Sequence, residues 1–150
     1  GYPSVKFRNT NFNGTSGAPT VFSGTDFPMF RLADAYLMFA ECVVRGATGG
    51  TLTEAAEYVN LVRERSNADP ITPGQLTLDF MIDERGRELM LEGHRRTDLI
   101  RFGKFTGGSY LWPWKGNVEN GATIPSTYNL FPIPLPALQA NPNLTQKPGY

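Results

Sequence analysis

Eight charged side chains crowd into residues 84–101: Glu84, Arg85, Arg87, Glu88, Glu92, Arg95, Asp98 and Arg101. Glu84, Glu88 and Glu92 recur at i, i+4 and i+8, a spacing that predicts one helix face, where like charges repel unless cations intervene. Arg85 can reach Glu88, and Arg101 can reach Asp98, at i, i+3. A planar guanidinium also permits bidentate pairing between two helices. Paired carboxylates can act as general acid and base in glycoside cleavage when they stand roughly 5 to 10 Å apart across an open cleft. Glutamates hemmed in by arginine are instead held ionised, which is wrong for a general acid. A di-metal carboxylate bundle needs Glu-x-x-His pairs. The single histidine, His94, stands two residues from Glu92 and beside Gly93 at a helix junction, where capping or packing suits it better than catalysis. Arg85, Glu88, Glu92, Arg95, Asp98 and Arg101 are therefore expected to form a structural ion-pair network, ahead of a polar ligand site. The sequence holds no phosphate loop, nucleophile elbow or zinc motif. No catalytic residue, metal ligand or cofactor is assigned.

The second chemical signal is aromatic. Sugar rings expose apolar C–H faces that pack on flat side chains, and Tyr110, Trp112 and Trp114 sit in a Gly-rich stretch able to present them. Trp112 and Trp114 flank Pro113 and project to one side if that stretch is extended. The competing reading, which leads, is that one or both tryptophans anchor the loop to the helices.

Composition narrows the classes of function. With 14 Lys+Arg against 14 Asp+Glu the formal net charge is zero, so no broad positive field selects nucleic acid or an anionic membrane surface. Neutral ligands fit better. One cysteine, Cys42, excludes an intrachain disulfide, and its apolar helical setting makes it a small buried hydrophobe rather than a reactive thiol. No window holds the ~18 consecutive apolar residues of a membrane span, and the first residues lack a signal-peptide pattern. The chain is either cytosolic or an internal piece of something larger. Its 16 glycines and 12 prolines gather at the two ends, which suits a fragment.

The elements that must position these groups are helical. Residues 1–28 form an irregular lead-in in which only Val5-Lys6-Phe7-Arg8 alternates like a strand. Asp26 before Pro28 predicts a helix entry, and apolar residues from Phe30 to about Arg45 recur at helical spacing, giving a wide-faced, largely buried helix. Gly46–Gly50 ends it. Thr53 and Glu54 open a second helix with Ala55, Ala56, Val59 and Val62 or Arg63 on one stripe, and the pair makes an antiparallel hairpin like one degenerate tetratricopeptide unit. A third helix is expected from Thr77 or Asp79 to Leu91, and a short fourth from Arg95 to Phe102 closed by Gly103 at C′. These make a second hairpin. Residues 104–150 are a loop and a strap, and proline at alternate positions in Phe131-Pro132-Ile133-Pro134-Leu135-Pro136 keeps the strap extended or polyproline-like. The fold class is thus mainly α: antiparallel helical hairpins over 29–103 with long irregular N- and C-terminal segments.

Three stretches carry a family resemblance. Asp26-x-Pro28-x-x-Arg31-x-Ala33-Asp34-x-x-Leu37-x-x-Ala40-Glu41, the run Glu84-Arg85-x-x-Glu88-Leu89-x-x-Glu92-Gly93-x-Arg95-x-x-Asp98-Leu99-x-Arg101-Phe102-Gly103, and the ending Phe131-Pro132-Ile133-Pro134 with Asn141-Pro142-x-Leu144-x-Gln146-x-Pro148-Gly149-Tyr150 stand in the order found in SusD/RagB outer-membrane lipoproteins. The chain resembles the C-terminal portion of that family over roughly residues 25–150. Lys147 and Ala137 depart from the usual ending. The resemblance implies a tetratricopeptide-like fold and a non-catalytic, glycan-binding role in nutrient uptake. It implies a SusC-like TonB-dependent transporter as partner, an oligosaccharide or polysaccharide as ligand, and attachment to the outer membrane through an N-terminal lipid anchor outside this chain. Peptide uptake, as in RagB-like members, and a purely structural helical scaffold are the alternatives.

Overall fold

The computed structural model describes residues 6–11, 13–17 and 24–150. The chain divides into two compact units, 1–95 and 96–150. Among the described residues the structure is helical, with five α-helices and three short 3-10 turns, and β pairing is limited to the isolated bridges Thr10–Ser16 and Gly107–Ile124. Val5 lies outside the described residues, and Lys6 and Phe7 form a turn, with Arg8 irregular, rather than the expected strand.

The first unit is built on the hairpin of α1 (Leu32–Val44) and α2 (Leu52–Arg65). Leu37, Ala40 and Val43 of α1 meet Ala55, Ala56, Val59 and Val62 of α2 in the core, and the alanines permit close approach. Each Leu or Val so buried contributes about 1.5–3 kcal/mol. Tyr58 stacks on Tyr36 at 4.8 Å and meets Phe39 edge-on at 5.2 Å. Gly50 in the linker passes so close under Phe39 that a Cβ there would lie 2.5 Å from the ring.

The entry to α1 differs from expectation. Asp26 and Pro28 lie in non-helical chain, and Arg31 is the N-cap residue with no side-chain capping bond, since a guanidinium offers no acceptor to the helix N–H groups; its donors go to Glu88 and Glu92 instead. Nor is α1 largely buried. Leu32 and Met38 are exposed, and Cys42 is exposed rather than a core residue, because α2 and α3 cover only the opposite stripe. Helix α2 starts at Leu52, so that Thr53 and Glu54 lie in its first turn as expected, and Thr51 at the N-cap forms a capping box with Glu54. Helix α3 (Leu78–Glu88) is capped by Thr77 and packs on α1. It stops short of Leu91, which adopts a left-handed conformation (φ 64°) and is followed by Gly93 at φ 82°.

Helix α4 (Arg95–Arg101) lies in the second unit from Arg96 onward. Gly103 (φ 68°) sits at its C′ position; Lys104 N–H reaches the Leu99 carbonyl at 2.7 Å and Gly103 N–H the Ile100 carbonyl at 3.0 Å, a Schellman closure. The strap is extended through Pro134, as its prolines require. Ile133 is the one residue between Pro132 and Pro134 with an N–H, and the Gln146 amide pairs with both its N–H (3.0 Å) and its carbonyl (2.9 Å), like a strand partner. Leu135–Ala140 then form α5, a short helix where more strap was expected. Pro136 in the first turn removes no needed donor, and Ala137-Leu138-Gln139-Ala140 favour helix. Tyr150 folds back so that its hydroxyl meets the Thr127 and Leu130 carbonyls.

Candidate functional site

Two constellations hold the chemistry, one in each unit. In the first, Glu88 and Glu92 are nearly buried and share the Arg31 guanidinium: Nε donates to Glu92 Oε2 at 2.7 Å and Nη2 to both Glu88 Oε1 and Glu92 Oε1 at 2.7 Å. Arg65 Nη2 from the end of α2 adds a second cation to Glu88 at 2.7 Å, and the Lys6 ammonium adds one to Glu92. Glu84 is bound by Arg63 at 2.8 Å and Arg87 at 2.6 Å, and both arginines lie near the Phe80 ring. Arg85 turns to α1, its Nη2 2.9 Å from Asp34 Oδ1. Arg95 Nη1 donates to the Ile82 carbonyl at 2.6 Å across Gly86, where a Cβ would lie 2.7 Å from that same nitrogen.

The electrostatics follow from the pairing. Burial on its own pushes the Glu92 carboxyl up, but the hydrogen bonds and charges of Arg31 and Lys6 outweigh it and hold the group below the ordinary carboxylate range. The hydrogen bond to Glu92 raises Arg31 in turn. A carboxylate so held stays ionised at neutral pH and has no proton to give a leaving group.

The structure therefore brings Glu88 and Glu92 together, but through cations from elsewhere in the fold: Arg31, Arg65 and Lys6. Glu92 does not continue the helical face of Glu84 and Glu88, because α3 has ended and Leu91 has reversed the chain. Asp98, nearly buried, pairs with Arg101 at 2.8 Å within the second unit, at the i, i+3 spacing read from the sequence. Arg31 stands in the run Asp26-x-Pro28-x-x-Arg31, which is the sequence signal for its role. Among the described residues no cluster of His, Cys, Asp and Glu is arranged for a metal, and no helix is long and apolar enough to cross a membrane.

The second constellation is the loop carrying the aromatics. Trp112–Trp114 is a turn, not the extended run that would place both tryptophans on one side. Trp114 adopts φ 69°, fixed by its N–H bonding the Val118 (3.0 Å) and Glu119 (3.2 Å) carbonyls and by its own carbonyl accepting from Asn117 at 3.0 Å. Trp114 is 64% exposed, Trp112 37%, and Tyr110 half-buried against Trp112 at 5.7 Å. Beneath them lies Lys115, only 2% exposed. Its Nζ donates to the Tyr110 carbonyl at 2.7 Å, reaches the Lys104 carbonyl at 3.4 Å and lies 4.7 Å from the Trp112 ring centre. Among the described residues no carboxylate pairs with it, and burial pushes its pKa down. Nothing periodic marks Lys115 in the sequence, where a lysine beside glycine reads as solvated.

A mainly helical chain with a hairpin of tetratricopeptide type, cation-clamped glutamates around the end of α3 and a folded-back Pro-rich ending defines a class, and comparison with known proteins agrees with it. The model of the SusD family matches residues 1–150, and the chain belongs to that family. It is 41% identical over 150 residues to the starch-binding protein SusD of Bacteroides thetaiotaomicron, covering all of this chain and 26% of that protein. It is 39% identical over 124 residues to the SusD-like protein P25 of Formosa agariphila, covering 79% of this chain and 23% of the relative. The crystal structure of a SusD superfamily protein from Bacteroides vulgatus superimposes with a TM-score of 0.67 at 28% identity, over 91% of this chain and 31% of that one. The chain thus spans about a quarter of the length of the curated relatives it matches.

Proposed function

We propose that this chain is the C-terminal portion of a non-catalytic, glycan-binding component of an outer-membrane nutrient uptake system. Its ligand is a starch-type oligosaccharide or polysaccharide, its partner a SusC-like TonB-dependent transporter, and its membrane attachment a lipid on an N-terminal segment outside this chain. The observation that carries the reading is the 41% identity, sustained along the whole chain, to a protein named for binding starch. The chemistry supports binding over cleavage, since Glu84, Glu88 and Glu92 are each held by arginine. Within this portion, the loop that carries Tyr110, Trp112 and Trp114 is the proposed place of glycan contact. Arg85, Glu88, Glu92, Arg95, Asp98 and Arg101 act structurally.

The test is titration calorimetry of the full-length protein with maltoheptaose and with peptides, beside an assay for reducing ends. Heat of binding with maltoheptaose and no release of reducing ends is expected. Binding of peptides alone would replace the glycan reading with peptide uptake, and sugar release abolished by Glu88→Gln would overturn the non-catalytic reading. A second reading, a helical scaffold for protein contact, is favoured by the apolar surface of Met29, Phe30 and Leu32, which are 74%, 90% and 64% exposed. Retention of the transporter without any glycan affinity would support it.

A further inference from the structure

Tyr110, Trp112 and Trp114 are not equivalent. A bulky non-glycine residue in the left-handed region is unfavourable and persists only where surrounding structure imposes it. Trp114 is such a residue, and the loop imposes its conformation from both sides, through the bonds to Val118 and Glu119 and the bond from Asn117. The strain secures no burial, for Trp114 is 64% exposed. It does reverse the chain, so that the next residue, Lys115, points inward while the indole of Trp114 stays in solvent. Lys115 then ties the loop from beneath: its ammonium joins the carbonyls of Tyr110 and Lys104 and faces Trp112. Gly121 completes the fold-back, passing so close that a Cβ would lie 2.6 Å from the Trp112 carbonyl oxygen.

We propose that Trp114 alone is the sugar-stacking surface of this loop, and that Lys115 is the positioning residue that holds it there, with Tyr110 and Trp112 as the walls of the lysine's cage. The ligand class is a pyranose ring offering a C–H face to a flat, pre-oriented indole. This inference rests on the glycan-binding reading above and assigns the contact within it.

The experiment uses the full-length protein and maltoheptaose. Trp114→Gly removes the indole and relaxes the backbone, since glycine enters the left-handed region without steric cost. Affinity should fall about tenfold or more, the scale of a lost aromatic contact, while the melting midpoint holds or rises. Trp114→Tyr, which keeps a flat face, should retain most of the affinity. Lys115→Met should weaken binding when Trp114 is present and add no further loss in the Trp114→Gly background, a dependence that a purely structural lysine would not show. Undiminished binding by Trp114→Gly overturns the inference, as does a midpoint that falls with the affinity, because Trp114 would then be a loop anchor. Equal losses from Lys115→Met in both backgrounds remove the positioning role. If the wild-type protein binds no maltoheptaose, the proposed function fails and this assignment with it; if it binds and the Trp114 variants do not differ, the assignment alone fails.

Discussion

Replacing Arg31 by methionine tests the charged cluster most directly. The substitution keeps much of the apolar stem but removes four hydrogen bonds from a charged donor, one to Glu88 Oε1, one to the Glu88 carbonyl and two to Glu92. The carboxylates left behind are nearly buried, with side chains 6% and 2% exposed, whereas Arg31 itself is 25% exposed. Breaking a buried pair by deleting one partner costs roughly 3–5 kcal/mol. The low end applies here, because Glu88 keeps Arg65 and Glu92 keeps Lys6, so the expected loss is about 3 kcal/mol. Glu92→Gln should cost less, since the arginine it leaves is partly solvated and still bonded to Glu88. The pH dependence has a definite sign. A carboxyl whose folded pKa lies below its unfolded value contributes stability above the unfolded value and loses it as pH falls through the folded one. The gap between wild type and Arg31→Met should therefore be full at neutral pH and close in acid, below the ordinary carboxylate range. Urea unfolding across that range is the assay. A neutral-pH difference under about 0.5 kcal/mol, the size of a surface pair, or a gap that widens in acid, would refute the argument.

Three further substitutions probe local devices. Thr51→Ala removes the hydroxyl of the capping box at α2 and should cost about 1 kcal/mol in urea unfolding. Gln146→Ala strips the surrogate strand partner from Ile133 and should cost about 1–3 kcal/mol, with faster amide exchange at Ile133 by NMR. Gly121→Ala sets a methyl against the Trp112 carbonyl at a φ of 79°, so a drop of at least about 1 kcal/mol and altered tryptophan fluorescence are expected.

Apolar spacing made the hairpin legible: Leu37, Ala40, Ala55, Ala56 and Val59 are core residues because α1 and α2 each offer one small-residue stripe to the other. Helix starts were less so. Thr53 and Glu54 do lie in the first turn of α2, but it is the capping bonds between Thr51 and Glu54 that show which residue caps that turn. The end of α3 was hidden because Leu91 is an ordinary helix former, and only tertiary context drives it to positive φ. The exposed Cys42 escaped because periodicity says which residues share a stripe, not which stripes are covered. Of the aromatic site, the residue types were readable. The inequality of Trp112 and Trp114 was not, for it depends on one backbone angle and one buried lysine.

The same reasoning explains why the acidic residues cluster where α3 ends. A helix C-terminus carries unpaired carbonyls and a partial negative charge, so Glu88 in the last helical position and Glu92 in the following turn sit in unfavourable surroundings. The cations answer both deficits at once. Lys6 donates to the Glu88 main-chain carbonyl at 2.6 Å and Arg31 does so at 3.2 Å, while the same two side chains hold the Glu92 carboxylate. Arg31 is the residue before α1, Lys6 belongs to the lead-in and Glu92 follows α3, so one ionic knot pins three segments that share no helix hydrogen bonds. An apolar patch of equal volume would hold them as strongly, but it would leave the orphan carbonyl of Glu88 without a donor. The arginine of the first motif and the two glutamates of the second are therefore one device: a cationic cap for α3 whose carboxylates fix the cap in place.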